Sequence, residues 1–168
     1  LAQHGIVVWV MDNRTASGKG AVSTWPVYQH FGESELRDIE DGIAWLRKQP
    51  YVDGARIGIE GWSYGGYMSF WISTQTDRFK AISPGAGLAN LYSMYSTNDI
   101  QDYLASFFGR PWTDVERYLA HSPIRYVGNV TSPMLILHGS EDTRVPVEQS
   151  VEFYQALKDL GKEVTFVR

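Results

Sequence analysis

The segment Gly61 to Gly65 constrains the fold most, because it places a Gly-x-Ser-x-Gly pentapeptide between a predicted strand and a predicted helix. The strand is predicted over residues 56–60 and the helix from about residue 65 through 72. The two glycines of the pentapeptide and Gly66 after them would let the backbone pack tightly around a strained turn. Such a turn lifts the Ser63 hydroxyl above the sheet edge, beside the positive end of the helix dipole. We therefore predict a nucleophilic serine; a glycine-rich structural turn is the alternative.

Strand and helix patterns alternate along the rest of the chain. Continuous apolar or β-branched runs predict strands at 6–11, 79–83, 133–139 and 163–167. Apolar residues at helical spacing predict helices at 33–49 and 147–160, and a tyrosine-rich segment over 88–108 is interpreted as helical. The alternation predicts an α/β fold, with a mostly parallel sheet and helices on both faces. Ligands of such sheets bind beyond the carboxyl ends of the strands, where Ser63 and the residues after His138 lie.

Composition excludes several classes of function. The chain has 168 residues, a formal charge of −4 and no run of Lys or Arg, so neither a nucleic-acid footprint nor a membrane-surface helix is indicated. Cysteine is absent, and no HExxH motif or cluster of His and Asp indicates a metal hydrolase. The longest apolar stretch, Ile6 to Met11, is too short to span a bilayer. We expect no cofactor, no metal, no nucleic-acid partner and no membrane segment; no targeting signal is found, and the compartment stays open.

A nucleophilic serine needs a base to take its proton and an acid to orient that base. In α/β-hydrolases the acid follows the serine in the chain, on a loop after a strand, and Asp142 has that position. Glu141 is the neighbour that could be confused with it, and a surface turn or a helix cap is the alternative role for Asp142. The four histidines are His4, His30, His121 and His138, none of which follows the acid. We expect His138 to stabilise the acid loop and His121 to end a helix, so the base is missing.

The motifs around these residues occur in a consistent order along essentially the whole chain. They are Asp12-Asn13-Arg14, Gly18-Lys19-Gly20, Gly61-Trp62-Ser63-Tyr64-Gly65-Gly66-Tyr67 and His138-Gly139-Ser140-Glu141-Asp142-Thr143-Arg144-Val145-Pro146. Together they resemble the catalytic domain of the prolyl oligopeptidase family, most closely its dipeptidyl peptidase IV and acylaminoacyl peptidase branches. The resemblance implies an α/β-hydrolase fold. It also implies that Ser63 is the acyl-forming nucleophile, Asp142 the triad acid, and the backbone N–H of Tyr64 one oxyanion-hole donor.

The resemblance extends to three residues that would bind substrate. Arg144 matches the position that hydrogen-bonds a substrate backbone carbonyl in these peptidases, and an ordinary surface salt bridge is its alternative role. Tyr92 and Tyr95 resemble the aromatic lining of the pocket for the residue before the scissile bond, but core packing would use the same residue types.

The chain departs from the family pattern at several points. Members carry the catalytic histidine shortly after the strand predicted at 163–167, so we expect it just beyond Arg168. The upstream strands with a His-Gly-Gly-Pro-like loop, the tyrosine that gives the second oxyanion donor and the β-propeller are also absent, and Thr15 stands where the family has a glycine. We interpret residues 1–168 as a single partial catalytic domain of a serine peptidase for short peptides. Its open sheet edges could support a homo-oligomer, and a carboxylesterase or a non-catalytic fragment is the alternative.

Overall fold

The structure, a computed structural model, describes all 168 residues. The chain forms two compact units, Leu1–Arg56 and Ile57–Arg168. That both belong to one domain stays a prediction. No helix in either unit has the length and apolar character that crossing a membrane requires.

The first unit is built around one long helix. Short helical segments lie at Ala2–His4, at Trp25–Val27 and at α1 (Ala21–Thr24), and the long helix α2 runs over Glu33–Leu46. Glu33 and Glu35 occupy the first turn of α2, where negative charge complements the helix dipole. The predicted helix is confirmed, but it ends three residues early, so that Arg47 and Lys48 follow the last turn.

The strand predicted over residues 6–11 is wrong. These residues form no strand and are mostly exposed, with Val10 at 85 %. A strand needs a neighbouring strand as its hydrogen-bonding partner, and the first unit contains no other strand with which residues 6–11 could pair. Instead the apolar run packs against α2: the Trp9 ring stacks on Trp45 at a centroid distance of 6.4 Å, and a Cβ at Gly42 would lie 2.4 Å from Trp9.

An ion pair ties the following loop to α2. The Arg14 guanidinium and backbone N–H both donate to the Asp38 carboxylate, the backbone bond at 2.7 Å, and this hydrogen bonding lowers the pKa of Asp38. Beside it, the Thr15 hydroxyl donates to Asn13 Oδ1 at 2.7 Å. Thr15 therefore has a local role at the position where the family has a glycine.

The second unit contains a four-stranded parallel sheet in the order β1-β2-β3-β4. Its strands are β1 (Gly58–Trp62), β2 (Ala81–Gly85), β3 (Met134–Leu137) and β4 (Val164–Val167). All four were predicted, although β1 and β2 lie two residues later than expected. Their pairing runs from Gly58 with Ala81 to Trp62 with Gly85. Strands β1 and β4 form the edges of the sheet, where the predicted self-association would occur.

Helices connect these strands. They are α3 (Tyr64–Gln75), α4 (Leu91–Thr97), α5 (Asp102–Phe108), α6 (Val115–Ala120) and α7 (Glu148–Asp159), with a 3-10 helix at Pro123–Asn129. Phe70 of α3 contacts Phe153 of α7 at a centroid distance of 4.3 Å, so both helices lie on one side of the sheet, as right-handed crossovers in this strand order require. The parallel sheet with helices is confirmed. On the other side Leu135 is 41 % exposed, and helices there stay a prediction.

The tyrosine-rich segment 88–108 is helical, as predicted, but it forms two helices rather than one. Asn98 ends α4, because its side-chain amide donates to the Met94 carbonyl while its Oδ1 accepts from the Ile100 N–H. The side chain thus replaces the backbone bonds that would have continued the helix.

Tyr118 of α6 gives a test of this packing. It is fully buried, its hydroxyl donates to the Gly109 carbonyl at 2.6 Å, and burial raises its pKa to about 12. Because the folded state favours the neutral phenol, its contribution to stability is complete below about pH 10, the ordinary tyrosine pKa, and is lost as the pH rises towards about 12.

We expect the unfolding midpoint of Tyr118→Phe to be lower than that of wild type at pH 8 and to fall less steeply between pH 10 and about 12. Thermal unfolding across this range measures the difference. Tyr51→Phe at an exposed position is the control and should keep the wild-type slope. Parallel curves for wild type and Tyr118→Phe would contradict the argument.

Candidate active site

Ser63 occupies the sharp turn between β1 and α3. Its backbone has φ 60° and ψ −116°, a conformation that non-glycine residues rarely adopt. The turn is held on both sides: the Ser63 N–H donates to the Gly85 carbonyl at 2.9 Å, and the Ser63 carbonyl accepts from the Tyr67 N–H at 2.9 Å. The side chain is exposed. The predicted strained turn is therefore present, and it presents the Ser63 hydroxyl to solvent.

Close backbone approaches explain two of the three glycines at this turn. A Cβ at Gly61 would lie 2.3 Å from the Gly65 carbonyl oxygen, and one at Gly66 would lie 2.3 Å from the Gly85 carbonyl oxygen. The expectation for Gly65 is wrong in one respect, because a Cβ there would meet no atom within 4 Å. Gly65 contributes its backbone to the packing but does not need to lack a side chain.

The first turn of α3 lies directly after the serine. Tyr64 is the first residue of the helix. Its N–H is therefore one of the free N–H groups at the helix N-terminus, where the positive end of the helix dipole lies next to Ser63. An anion that formed next to Ser63 would lie at this helix terminus. Tyr67 anchors the same turn, since its hydroxyl donates to the His121 carbonyl at 3.0 Å.

Asp142 lies on the loop between β3 and α7. Its Oδ1 accepts from the N–H groups of Arg144 and Val145, both at 2.9 Å, and these bonds give the loop its shape. Its Oδ2 accepts from neither and lies 3.7 Å from His138 Nε2. Glu141 is exposed, and none of the loop hydrogen bonds goes to it. The alternative role of Asp142 in a surface turn is therefore observed through Oδ1, while Oδ2 accepts from neither loop N–H, and its role as the triad acid stays a prediction.

The Ser63 turn and the Asp142 loop both emerge from the carboxyl-terminal end of the sheet. The register places Trp62 beside Gly85 and Gly85 beside Leu137, so β1 and β3 end level with each other on either side of β2. Two strand spacings amount to about 10 Å. Ser63 and the Asp142 loop therefore lie at the same end of the sheet, the carboxyl-terminal end, as the alternation of strands and helices predicts.

His138 stabilises the acid loop, as predicted. It is buried, its Nδ1 lies 2.7 Å from Ser150 Oγ, and its Nε2 lies 2.7 Å from the Val145 carbonyl oxygen. Because a carbonyl oxygen only accepts, Nε2 carries a hydrogen and donates to it, while Nδ1 forms a hydrogen bond with the Ser150 hydroxyl. Both nitrogens are thus engaged, so His138 is not placed to take a proton from Ser63.

The other histidines also have local positions. His121 follows the last residue of α6, which confirms its predicted place at a helix end. His4 ends the first short helix, and His30 lies 3.2 Å from Glu33, both in the first unit.

Arg144 forms an ion pair with Asp99, a partner that the sequence did not predict. Its Nε donates to Asp99 Oδ1 at 2.5 Å, and this hydrogen bond raises the pKa of Arg144. The Asp99 N–H donates in turn to the Thr143 carbonyl at 3.1 Å. The salt-bridge alternative is therefore observed, yet the Arg144 side chain stays 56 % exposed. Contact with substrate stays a prediction.

The predicted pocket tyrosines differ in their surroundings. Tyr92 is 43 % exposed, so it does not belong to the core. Tyr95 is half-buried, and its ring makes edge contacts with Trp112 at 5.7 Å and Tyr118 at 6.0 Å. Trp112 is an exposed aromatic residue that no periodic pattern singled out. Lining of a pocket by these side chains stays a prediction.

Comparison with known proteins decides the family. The model of the prolyl oligopeptidase family matches residues 1–168. The chain belongs to the prolyl oligopeptidase family. The resemblance found in the sequence is thereby confirmed, and with it the α/β-hydrolase fold.

Several relatives of this family align with nearly the whole chain. An uncharacterized peptidase, YuxL, of Bacillus subtilis is 34 % identical over 176 aligned residues, covering 100 % of this chain and 26 % of that protein. The acylamino-acid-releasing enzyme of Mus musculus is 29 % identical over 167 residues, covering 94 % of this chain and 23 % of that enzyme. The chain therefore spans about a quarter of the length of the curated relatives that it matches.

Solved structures give the same result. The acylaminoacyl peptidase of Pyrococcus horikoshii is 38 % identical, with a TM-score of 0.87, over 92 % of this chain and 26 % of that one. An acylaminoacyl peptidase in complex with Z-Gly-Gly-Phe-chloromethyl ketone is 39 % identical, with the same TM-score and coverage.

Proposed function

We propose that the protein containing this chain is a serine peptidase that cleaves short peptides through an acyl-enzyme on Ser63. The observation that carries the proposal is the strained, exposed serine between β1 and α3, at the sheet edge from which the Asp142 loop also emerges. Relatives named dipeptidyl-peptidase 5 and acylamino-acid-releasing enzyme support it.

The proposal needs a base, and we infer that none of the four histidines of the chain supplies it. We propose that this base follows β4, because β4 is parallel to β3 and carries the chain to the same carboxyl-terminal end of the sheet. Arg168, directly after β4, donates from Nε to Ser140 Oγ of the acid loop at 3.1 Å. A histidine that followed would thus enter beside Asp142, whose Oδ2 is not used by the loop N–H groups. The ends of β1 and β3 lie about 10 Å apart, a spacing that is compatible with one imidazole ring between the Ser63 turn and the Asp142 loop.

The proposed reaction has two halves. The imidazole takes the Ser63 proton while Oγ bonds to the peptide carbonyl carbon, and the N–H of Tyr64 donates to the oxygen that becomes negative. The C–N bond then breaks as the imidazolium gives its proton to the leaving amine. In the second half, water gives a proton to the imidazole as its oxygen bonds to the acyl carbon; the bond from that carbon to Oγ then breaks, and the imidazolium returns the proton to Oγ of Ser63. Arg144 would hold a substrate carbonyl, and Tyr92 and Tyr95 would contact the residue before the scissile bond.

A substrate panel on the full-length protein tests this proposal. We expect turnover of acyl-alanine or Gly-Pro amides, because Arg144 offers a donor to a peptide carbonyl, alongside turnover of p-nitrophenyl esters. Activity on the esters alone would overturn the peptidase assignment in favour of a carboxylesterase. Absence of turnover together with absence of Ser63 labelling by a fluorophosphonate would favour a non-catalytic protein.

A further inference from the structure

Helix α4 carries both proposed pocket tyrosines, yet it has only seven residues. Isolated helices of this length are not stable in water, so the positions of Tyr92 and Tyr95 depend on what holds the helix. The connection that precedes it, residues 86–90, is almost entirely buried. Buried backbone N–H groups need acceptors inside the protein.

Gln149 of α7 supplies two of those acceptor bonds. It is 2 % exposed, and its Oε1 accepts from the N–H groups of Ala89 at 3.0 Å and Asn90 at 2.8 Å. Its Nε2 donates to Ser93 Oγ in the first turn of α4 at 2.9 Å. The two backbone donors determine which end of the carboxamide is oxygen. One side chain therefore joins α7 to both the buried connection and the helix.

The other end of α4 is joined to the acid loop. Asp99, two residues beyond the helix, donates its N–H to the Thr143 carbonyl and pairs with Arg144. The anchors at both ends thus come from the continuous segment 143–149, which directly follows Asp142. Three further bonds come from outside this segment. The Leu91 N–H donates to Ser122 Oγ at 2.9 Å, Asn90 Nδ2 donates to Glu152 Oε1 at 3.1 Å, and the Ala89 carbonyl accepts from the Ile124 N–H at 3.0 Å.

We propose that Gln149 is a positioning residue for substrate discrimination, which sets where Tyr92 and Tyr95 lie relative to the edge that carries Ser63 and Asp142. The proposal rests on the proposed function above. Loss of the carboxamide leaves the buried N–H of Ala89 and the part-buried N–H of Asn90 without their acceptor, so conformations in which α4 moves to recover these bonds gain population. Substrates that fill the pocket then bind less well, while the chemistry at Ser63 is little affected.

Hydrogen exchange of the full-length protein tests the anchor without relying on activity. Gln149→Met keeps the side-chain length and removes all three bonds, so amides of residues 89–97 should exchange roughly tenfold faster or more, with α3 unchanged. Gln155→Met, at an exposed position of the same helix, is the matched control and should change neither. Unchanged exchange over 89–97 in Gln149→Met would overturn the anchor, as would faster exchange throughout the second unit.

Kinetics tests the discrimination. In Gln149→Met we expect fluorophosphonate labelling of Ser63 within roughly threefold of wild type, and a roughly tenfold lower kcat/KM, mainly through KM, for amides with a large residue before the scissile bond. Amides with glycine there should change little, and Gln149→Glu, which keeps the two accepting bonds, should restore most of the loss. An equal loss for both amides would overturn the proposal. If wild-type Ser63 is not labelled, the proposed function fails, while hydrogen exchange still decides the anchor.

Discussion

In the Gly66→Ala variant, the second unit should lose about 4 kcal/mol or more of its free energy of unfolding. The added Cβ would lie 2.3 Å from the Gly85 carbonyl oxygen and 2.7 Å from the Gly87 Cα. Both are backbone atoms, so neither can rotate away as a flexible side chain would. Relief requires α3 to move away from β2, although the helix is buried from residue 66 to residue 74 and tightly packed interiors resist such shifts.

Gly65→Ala is the matched control, because it makes the same change one residue earlier in the same helix. Its Cβ would meet nothing within 4 Å, and alanine is favoured over glycine in helices by up to about 1 kcal/mol. Denaturant unfolding of the three proteins side by side should therefore show a large loss for Gly66→Ala and none for Gly65→Ala. Equal losses would mean that helix geometry, and not the collision with β2, sets the requirement for glycine.

The features that sequence alone predicted correctly are those with local signals. The turn at Ser63 depends on glycines within three residues of it, and the strands after it are short apolar runs bounded by polar residues or glycine. His138 could be assigned to the acid loop because it ends the strand that precedes Asp142, and its two partners, Val145 and Ser150, follow within twelve residues. Local patterns of this kind suffice when a residue's partners are close in the chain.

The features that were missed depend on partners far along the chain. Residues 6–11 have the composition of a buried strand, but a strand also needs a neighbour, and in the first unit their partner is the tryptophan face of α2. Asp99 pairs with a residue 45 positions away, and Gln149 bonds to residues 56 to 60 positions away. An aspartate or a glutamine at such a position belongs to no local sequence motif, so nothing in the neighbouring sequence indicates its distant partner.

Replacing Ser63 with alanine should lower amide turnover by the full-length protein by about five orders of magnitude or more. The variant removes the only atom that can form the acyl-enzyme in the proposed mechanism. It keeps the helix terminus of α3 and the substrate contacts, so a small residual rate above that in water is expected from binding and anion stabilisation. The turn itself should persist, because alanine at φ 60° meets about the same backbone strain as serine.

Labelling by a fluorophosphonate and hydrolysis of a peptide amide measure this loss together: in Ser63→Ala labelling should disappear, and amide hydrolysis should fall to the small residual rate. Ser106→Ala, an exposed serine on α5 whose hydroxyl bonds only to the Tyr103 carbonyl of its own helix, should leave both unchanged. Amide turnover that survives in Ser63→Ala at the wild-type rate would place the nucleophile elsewhere. Labelling that disappears while amide turnover persists would mean that Ser63 is reactive but does not carry the reaction, because an acyl-enzyme on Ser63 requires that both depend on one oxygen.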